Sequence, residues 1–316
     1  MKTLTMLICP VCGSRDTAGH GRYETVHNGT RSLHACTSCG AVFSETTGTP
    51  MQGIKTPLGK VAAALRLRGE GVGLRATARI LGAHKNTIAE WERRFAGMKP
   101  TLMLYGLCHA FIQLTFEGDE IYTVVGQRVH PADSTGWTAV ILERASRFLV
   151  DQQCGGKEAT LFKKVMQSVA TYVKRTQDTT FLSDGERRYG NTLFELCAQA
   201  VRTGKRGRPR KTLPKGCRVR IKNKGSQRHR RGPKRPKYQS PQPEHPDTPR
   251  DVPEAAIHAN HLEGHNAALR RRNSAFRRRT NTYAKNADAL QRTLDAHLLQ
   301  HNFVRPHWTT GEVPAV

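Results

Sequence analysis

Phe116-Glu117-Gly118-Asp119-Glu120-Ile121-Tyr122-Thr123-Val124-Val125-Gly126 is where a helical period gives way to a strand period. Ile121 to Gly126 is rich in β-branched residues, and a turn-forming region follows to Gly136. Trp137 to Leu142 reads as a second strand and Arg147 to Val150 as a third. Lys157 to Lys174 then carries Leu161, Phe162, Val165, Met166, Val169, Tyr172 and Val173 on one helical stripe. Thr180-Phe181-Leu182 is a fourth strand, ending at Ser183-Asp184-Gly185, and Asn191 to Arg202 has a helical pattern. The order is therefore three strands, a helix, a strand and a helix, an α/β domain.

That order is the one of a ribonuclease H-like fold, in which carboxylates at fixed places hold metal. Asp119 stands at the start of the first strand and Asp184 at the end of the fourth, which is expected to lie beside the first. A later helix, His258 to Arg279, has Glu263 as its only acid. Asn266, Arg270 and Arg277 follow Glu263 at offsets of 3, 7 and 14, so they share roughly its face, which suits metal plus phosphate, with Asn266, Arg270 and Arg277 as DNA contacts. Three carboxylates can hold two Mg²⁺ or Mn²⁺ about 4 Å apart, one activating a water or a 3′-hydroxyl and the other stabilising the leaving oxygen. Glu117, Glu120, Asp151 and Glu186 compete for these roles, because an acid at a strand end is also a common turn residue and an acid on an Arg-rich helix a common ion-pair partner.

The chain has 316 residues and a formal net charge of +26. Arg202 to Ser240 holds 17 of its 51 Lys and Arg residues and no Asp or Glu. Such a stretch repels itself, has little to bury, and suits a polyanion whose counterions it displaces. Within it Lys205-Arg206-Gly207-Arg208-Pro209-Arg210-Lys211 resembles an AT-hook core, whose Arg206, Arg208 and Arg210 would enter a narrow A·T minor groove; a plain basic linker fits the same residues. Val219-Arg220-Ile221-Lys222 alternates as one short strand, read as an arm of a hairpin clasping DNA. Pro241 to Pro253, with five prolines, reads as an extended connector.

Toward the N-terminus, Pro57 to Gly97 reads as three short helices: Leu58 to Arg68, Leu74 to Leu81, and Asn86 to Ala96 after a Gly82-Ala83-His84 turn. Ala78 before the turn and Ile88, Trp91 and Phe95 after it make the pattern of a helix-turn-helix, with a plain three-helix packing unit as the alternative. The third helix would present Lys85, Asn86, Thr87, Arg93 and Arg94 to base edges and phosphates. Farther upstream, Cys9-Pro10-Val11-Cys12-Gly13 and Cys36-Thr37-Ser38-Cys39-Gly40 are two knuckles separated by 23 residues. Each spacing lets two thiolates reach one ion, and the Gly permits the turn that aims backbone N–H groups at sulfur. Cys9, Cys12, Cys36 and Cys39 thus read as a closed, structural Zn²⁺ site, against redox pairs or plain thiols. Cys108, Cys154, Cys197 and Cys217 show no framework, which suits a reduced, intracellular chain. No run of about 18 apolar residues is present, so no membrane span is expected.

Zinc knuckles, helix-turn-helix, Gly118-Asp119-Glu120-Ile121-Tyr122, Ser183-Asp184-Gly185, Glu263-Gly264-His265-Asn266 with Leu269-Arg270-Arg271-Arg272 and Phe276-Arg277-Arg278-Arg279-Thr280 together resemble a transposase of the insertion sequence 1 family. The tail, with His301-Asn302-Phe303-Val304-Arg305-Pro306-His307, is similar to the end of many prokaryotic insertion-sequence transposases. The resemblance implies that Asp119, Asp184 and Glu263 are the triad of a DDE enzyme and that the N-terminal modules bind terminal inverted repeats of double-stranded DNA. It departs from the family pattern in its basic insertion, which separates Asp184 from Glu263 by 79 positions. The expected architecture is multidomain: a zinc ribbon at 1–48, an all-α helix-turn-helix at 55–98, an α/β ribonuclease H-like catalytic domain at 110–201 and 254–316, and a basic, Pro-rich insertion at 202–253. The expected activity is metal-dependent strand cleavage and transfer by a homodimer or larger assembly in the cytoplasm, associated with the nucleoid. A non-catalytic zinc/helix-turn-helix regulator and a nuclease without joining activity are the alternatives.

Overall fold

The computed structural model of the chain describes residues 7–109, 113–176, 178–202, 207–222, 238–277 and 281–315. It divides into two compact units, Met1–Arg68 with Val72–Met98, and Gly69–Gly71 with Lys99–Val316.

The first unit begins with an antiparallel sheet of β1 (Thr17–Thr25), β2 (Gly29–Cys36) and β3 (Val42–Ser44). Among the described residues, only Cys9, Cys36 and Phe43, with Leu7 and Ala41 against them, form its core. So few apolar side chains cannot hold a sheet of this size, and small folds of this kind depend on a cross-link or metal. The helices α1 (Leu58–Gly69), α2 (Leu74–Ile80) and α3 (Lys85–Ala96) follow. Val61, Ala64, Ala78, Ile88 and Trp91 are buried between them, with Leu65, Leu74 and Leu81 packed around. His84 caps α3 through Nδ1, which accepts from Asn86 N–H. Asn28, in the β1–β2 turn, donates to Thr56 O and accepts from Leu58 N–H, so the ribbon supplies a cap for α1. Ribbon and helices fall within one compact unit.

The second unit opens with α4 (Lys99–His109) and continues with β4 (Thr115–Tyr122), β5 (Trp137–Glu143), β6 (Leu149–Gly155), α5 (Ala159–Thr176), β7 (Asp178–Ser183) and α6 (Arg188–Cys197). Then come β8 (Gln199–Val201), β9 (Arg210–Thr212), β10 (Gly216–Lys222), β11 (Tyr238–Gln239), α7 (Asn260–Arg272) and α8 (Ala287–Phe303). Six strands form one mixed sheet in the order β11-β10-β7-β4-β5-β6. β4, β5 and β6 are an antiparallel meander, and β7 and β10 run parallel to β4. The fourth strand does lie beside the first, with Phe116 opposite Phe181 and Gly118 opposite Ser183. Strand alternation sorts β4 between two layers. Glu117 faces α7, whereas Gly118 faces Phe181 and Tyr189 so closely that a Cβ there would lie 2.6 Å from Phe181 Cζ. The predicted stripe of α5 is the buried one, from Leu161 to Val173, except that Tyr172 is only half-buried and Ala170 is added.

The structure differs from the sequence expectations in several places. Val219 to Lys222 is a strand, as expected, and pairs antiparallel with β11, but it does not project as a clasping arm: it belongs to β10, in the central sheet, with Cys217, Val219 and Ile221 buried. A period-two run of apolar residues finds a face to bury, and the Arg residues between them pair with Asp178, Asp251 and Glu244 instead of projecting as a basic arm. The Pro-rich connector is packed down along its length: Pro241 packs on Gly190, Pro243 O accepts from Leu213 N–H, and Glu244 accepts from Val219 N–H at the edge of β10. The helix expected over 258–279 ends at Arg272, since Asn273 takes an extended conformation and caps a short 3-10 turn, Ser274–Phe276. Asn191 to Arg202 similarly gives only the last part of α6, followed by β8.

Candidate active site

Asp119 lies within β4 and Asp184 immediately after β7. Each stands one residue beyond the Gly118–Ser183 pair of neighbouring parallel strands. Both are half-buried. α7 packs over β4 and β5, and its Asn266, 3 % exposed, donates from Nδ2 to Asp119 Oδ2 at 2.9 Å. From the opposite layer Tyr189 donates its hydroxyl to the carbonyl oxygen of Asp119 at 2.9 Å. Burial first, then nearby Glu120 and Asp119, push the Tyr189 pKa well above its ordinary value, so it stays a donor. Asp119 is thus fixed from both faces of the sheet. Glu263 is exposed on the same helix, one turn before Asn266, and Arg270 is half-buried one turn after it. Arg277 is not on that face: it follows the helix and donates to Arg271 O.

The competing acids have other partners. Glu120 points to the α5–α6 layer and is paired with Lys157 at 3.1 Å. Burial raises its pKa against that pull. Glu186 holds Arg188 at 2.8 Å, and those bonds outweigh burial to keep its pKa low. Asp151 and Asp295 share Lys99, at 2.7 and 2.8 Å. Glu117, fully buried on the Asp119 face, accepts from Arg144 Nε at 2.7 Å, from His261 Nδ1 at 2.7 Å and from Leu262 N–H at 3.0 Å. Arg144 also donates to the carbonyls of Ala256 and His258. The ligand atoms of Glu117, His258 and His261 lie within 4.8 Å of one another. An arginine already bound to the carboxylate makes that cluster a poor cation site, and its evident work is to pin the start of α7 to β4. Asp119, Asp184 and Glu263 do not form a cluster of that closeness among the described residues. Tyr189 and the Glu117–Arg144–His261 network were missed in the sequence; only the two-residue spacing of Glu117 from Asp119 hinted at a shared face.

The other cluster within 4.8 Å is Cys9, Cys12, Cys36 and Cys39. Cys9 and Cys39 sulfurs lie 3.7 Å apart and Cys12 and Cys36 sulfurs 3.6 Å. Tetrahedral Zn²⁺ with Zn–S of about 2.3 Å needs sulfurs about 3.8 Å apart, so the spacing fits zinc. Gly13 and Gly40, at φ +74° and +71°, turn the chain, and their N–H groups reach Cys9 O and Cys36 O. Burial opposes charge on Cys36, but N–H groups of Cys39 and Ser38 bring its pKa down to about 6. Ser14 N–H favours the Cys12 thiolate, yet the surrounding sulfurs push Cys12 up to about 12. The four sulfurs are placed so that they could hold one zinc ion.

On α3, Lys85, Asn86, Thr87 and Arg93 are exposed. Arg93 and Arg94 both pair with Glu90, and Arg94 also donates to Gln52 O at 2.6 Å. Glu90 is held below the usual carboxylate range, first by its bond to Arg94 and next, against burial, by Arg93. The first turn of α3 is therefore less encumbered than the last. Arg208 is exposed and Arg210 begins β9, paired with Val201 of β8. Arg206 lies outside the described residues, so only part of the AT-hook motif is placed.

No protein-family model matches the chain, and no curated protein matches it. Among solved structures, the Mos1 mariner paired end complex with Mn is similar over 44 % of this chain and 56 % of that one, little more than half its length, at 14 % identity and a TM-score of 0.18. The Mos1 transposase paired-end complex with left transposon end is similar over 84 % of this chain and 81 % of that one, at 13 % identity and a TM-score of 0.21. Likeness at these scores fixes neither fold nor activity. Among the described residues no helix is long and apolar enough to cross a membrane.

Proposed function

We propose that the chain is a DDE-type DNA transposase of the insertion sequence 1 kind, with a ribonuclease H-like catalytic unit and an N-terminal zinc and helix-turn-helix unit for the element ends. One observation carries the reading most: Asp119 and Asp184 stand at adjacent positions on neighbouring parallel strands, and the helix bearing Glu263 holds Asp119 through Asn266. Mg²⁺ or Mn²⁺ held by Asp119, Asp184 and Glu263 would supply a hard Lewis acid for in-line phosphoryl displacement. Asn266 orients the Asp119 carboxylate, and Tyr189 fixes the backbone beneath it. Arg270 sits where a scissile-strand phosphate would need a positive partner. Lys85, Asn86 and Thr87 would contact DNA in the major groove, and the basic residues after β10 would track phosphates. Because two ends must be brought together, a homodimer or larger assembly is part of the proposal.

The looser spacing of the three acids favours, as a second reading, a DNA-binding regulator without catalysis. The test is cleavage and joining on duplexes carrying the sequences that flank the gene, with Mg²⁺ or Mn²⁺, for wild type, Asp119→Asn and Asp184→Asn. Joined products from wild type alone support the transposase. Cleavage without joining makes it a nuclease, binding alone in all three makes it a regulator, and cleavage retained in Asp119→Asn refutes the site.

A further inference from the structure

On the other flank of α7, away from Glu263 and Asn266, a cavity of about 310 Å³ opens between that helix, the end of α8 and the segment that follows it. Its size is that of a small-ligand site. Arg271, Arg272 and Arg305 line it with His265, His301 and Trp308, and no carboxylate is among its lining residues. Arg305 is paired with Glu70, an exposed residue outside the lining. Burial, and then the charge of Arg305, lowers the Arg272 pKa, so the cations here crowd one another. A concave wall of like charges is costly unless an anion enters it.

Two further observations narrow the ligand. Trp308 is 98 % exposed at the rim, an unusual setting for the largest apolar side chain. His265 is 6 % exposed, and its Nδ1 has no hydrogen-bond partner among the described residues. Its Nε2 lies 3.0 Å from Gln152 Nε2. A buried imidazole with an unpartnered ring nitrogen thus lines a cationic cavity, beside a bare aromatic face.

We propose that this cavity binds one unpaired nucleotide of a nucleic-acid strand, its phosphate against Arg271 and Arg272 and its base on Trp308. Stacking on an exposed aromatic beside cations is the way proteins hold unpaired bases, and duplex DNA offers no free base face for it. The inference does not depend on the acid triad.

The test uses the full-length protein and three probes in moderate salt: an eight-nucleotide oligothymidylate, an abasic strand of equal length, and thymidine 5′-monophosphate. Binding is read by anisotropy and by tryptophan quenching, taken as the difference between wild type and Trp308→Phe. Trp308→Ala is expected to weaken oligothymidylate binding roughly five- to hundred-fold, with Trp308→Phe retaining most of the affinity. The abasic strand should bind wild type and Trp308→Ala alike, whereas Arg272→Ala should weaken both strands. Asp119→Asn should change none of these values, which separates this site from the proposed catalytic one. Equal oligothymidylate affinity in wild type and Trp308→Ala overturns the proposal. So does monophosphate binding as tight as the strand, which would make this a free-nucleotide site.

Discussion

Acidification should destabilise the second unit through two histidines on α8. His297 and His301 are 5 % and 7 % exposed. Burial is the largest cause of the fall in the His297 pKa to about 3, with His301 and Arg272 adding to it. Burial likewise lowers His301 to about 4, against the bond its Nε2 makes with Arg147 O. In the unfolded chain both return to about 6.5. A depressed native pKa on a base means that below about pH 6.5 the unfolded state takes up protons that the native state refuses. Stability is therefore full above that pH and is lost as pH falls toward the native values. Between pH 7 and pH 5 each histidine costs about 2 kcal/mol by linkage, about 4 kcal/mol for the pair, a large share of a typical domain stability of about 5–15 kcal/mol. Denaturant unfolding at pH 7, 6 and 5, read by pulsed hydrogen exchange on peptides from β6 and α8, measures this. His297 Nε2 has no hydrogen-bond partner among the described residues, so His297→Met removes a proton site without stranding a donor. That variant should lose about 2 kcal/mol less than wild type over the same interval. A pH dependence identical in wild type and His297→Met refutes the reasoning.

Asn266→Ala should slow strand cleavage about 10- to 100-fold with a much smaller effect on DNA affinity, because its amide is engaged by the Asp119 carboxylate, which the variant releases; unchanged single-turnover rates would count against it. One zinc per chain is expected by elemental analysis, and chelation should expose β1–β3 to hydrogen exchange while β4–β7 stay protected. Protection of β1–β3 in metal-free protein would refute a structural zinc. Deleting 224–237, which spares β10 and removes seven Lys and Arg residues, should lower the slope of log affinity against log salt by up to about 6. An unchanged slope would deny that segment its phosphate contacts.

The meander, α5, β7 and the pairing of β7 with β4 were legible because strand and helix periods are local and strong in this stretch. The stripe on α5 and the run around Phe181 can bury their apolar faces in only one way each. Part of β10 was legible as a strand, but its place in the central sheet was hidden by charge. Arg218 and Arg220 dominate its composition, yet they sit on edges where Asp178, Asp251 and Glu244 meet them, and the partners lie 24 to 40 residues away in sequence. The overlong helix at 258–279 had a similar cause. Its arginines continue the helical pattern past Arg272, and nothing in that pattern announces that Asn273 would turn and donate to Thr293 on α8. Long-range partners end elements that local propensity would extend.

The same geometry explains how one strand can carry a structural and a functional carboxylate two residues apart. Glu117 and Asp119 share a face of β4 and both meet α7. Glu117 is deep in the layer, where an unpaired charge would be very costly, and it is met by a guanidinium, an imidazole and a backbone N–H. Those bonds fix the first turn of α7 on the sheet. One helical turn on, the fixed helix delivers Asn266 to Asp119, and a neutral amide orients a carboxylate without cancelling its charge. Replacing Glu117 with Gln would therefore loosen α7 and disturb Asp119 secondarily, whereas replacing Asp119 with Asn would leave the helix seated. The two variants should part in stability and agree in lost cleavage: Glu117→Gln should lower the unfolding free energy by about 3–5 kcal/mol through the stranded Arg144, and Asp119→Asn by little. Equal stabilities for the two would show that the buried network does not seat the helix.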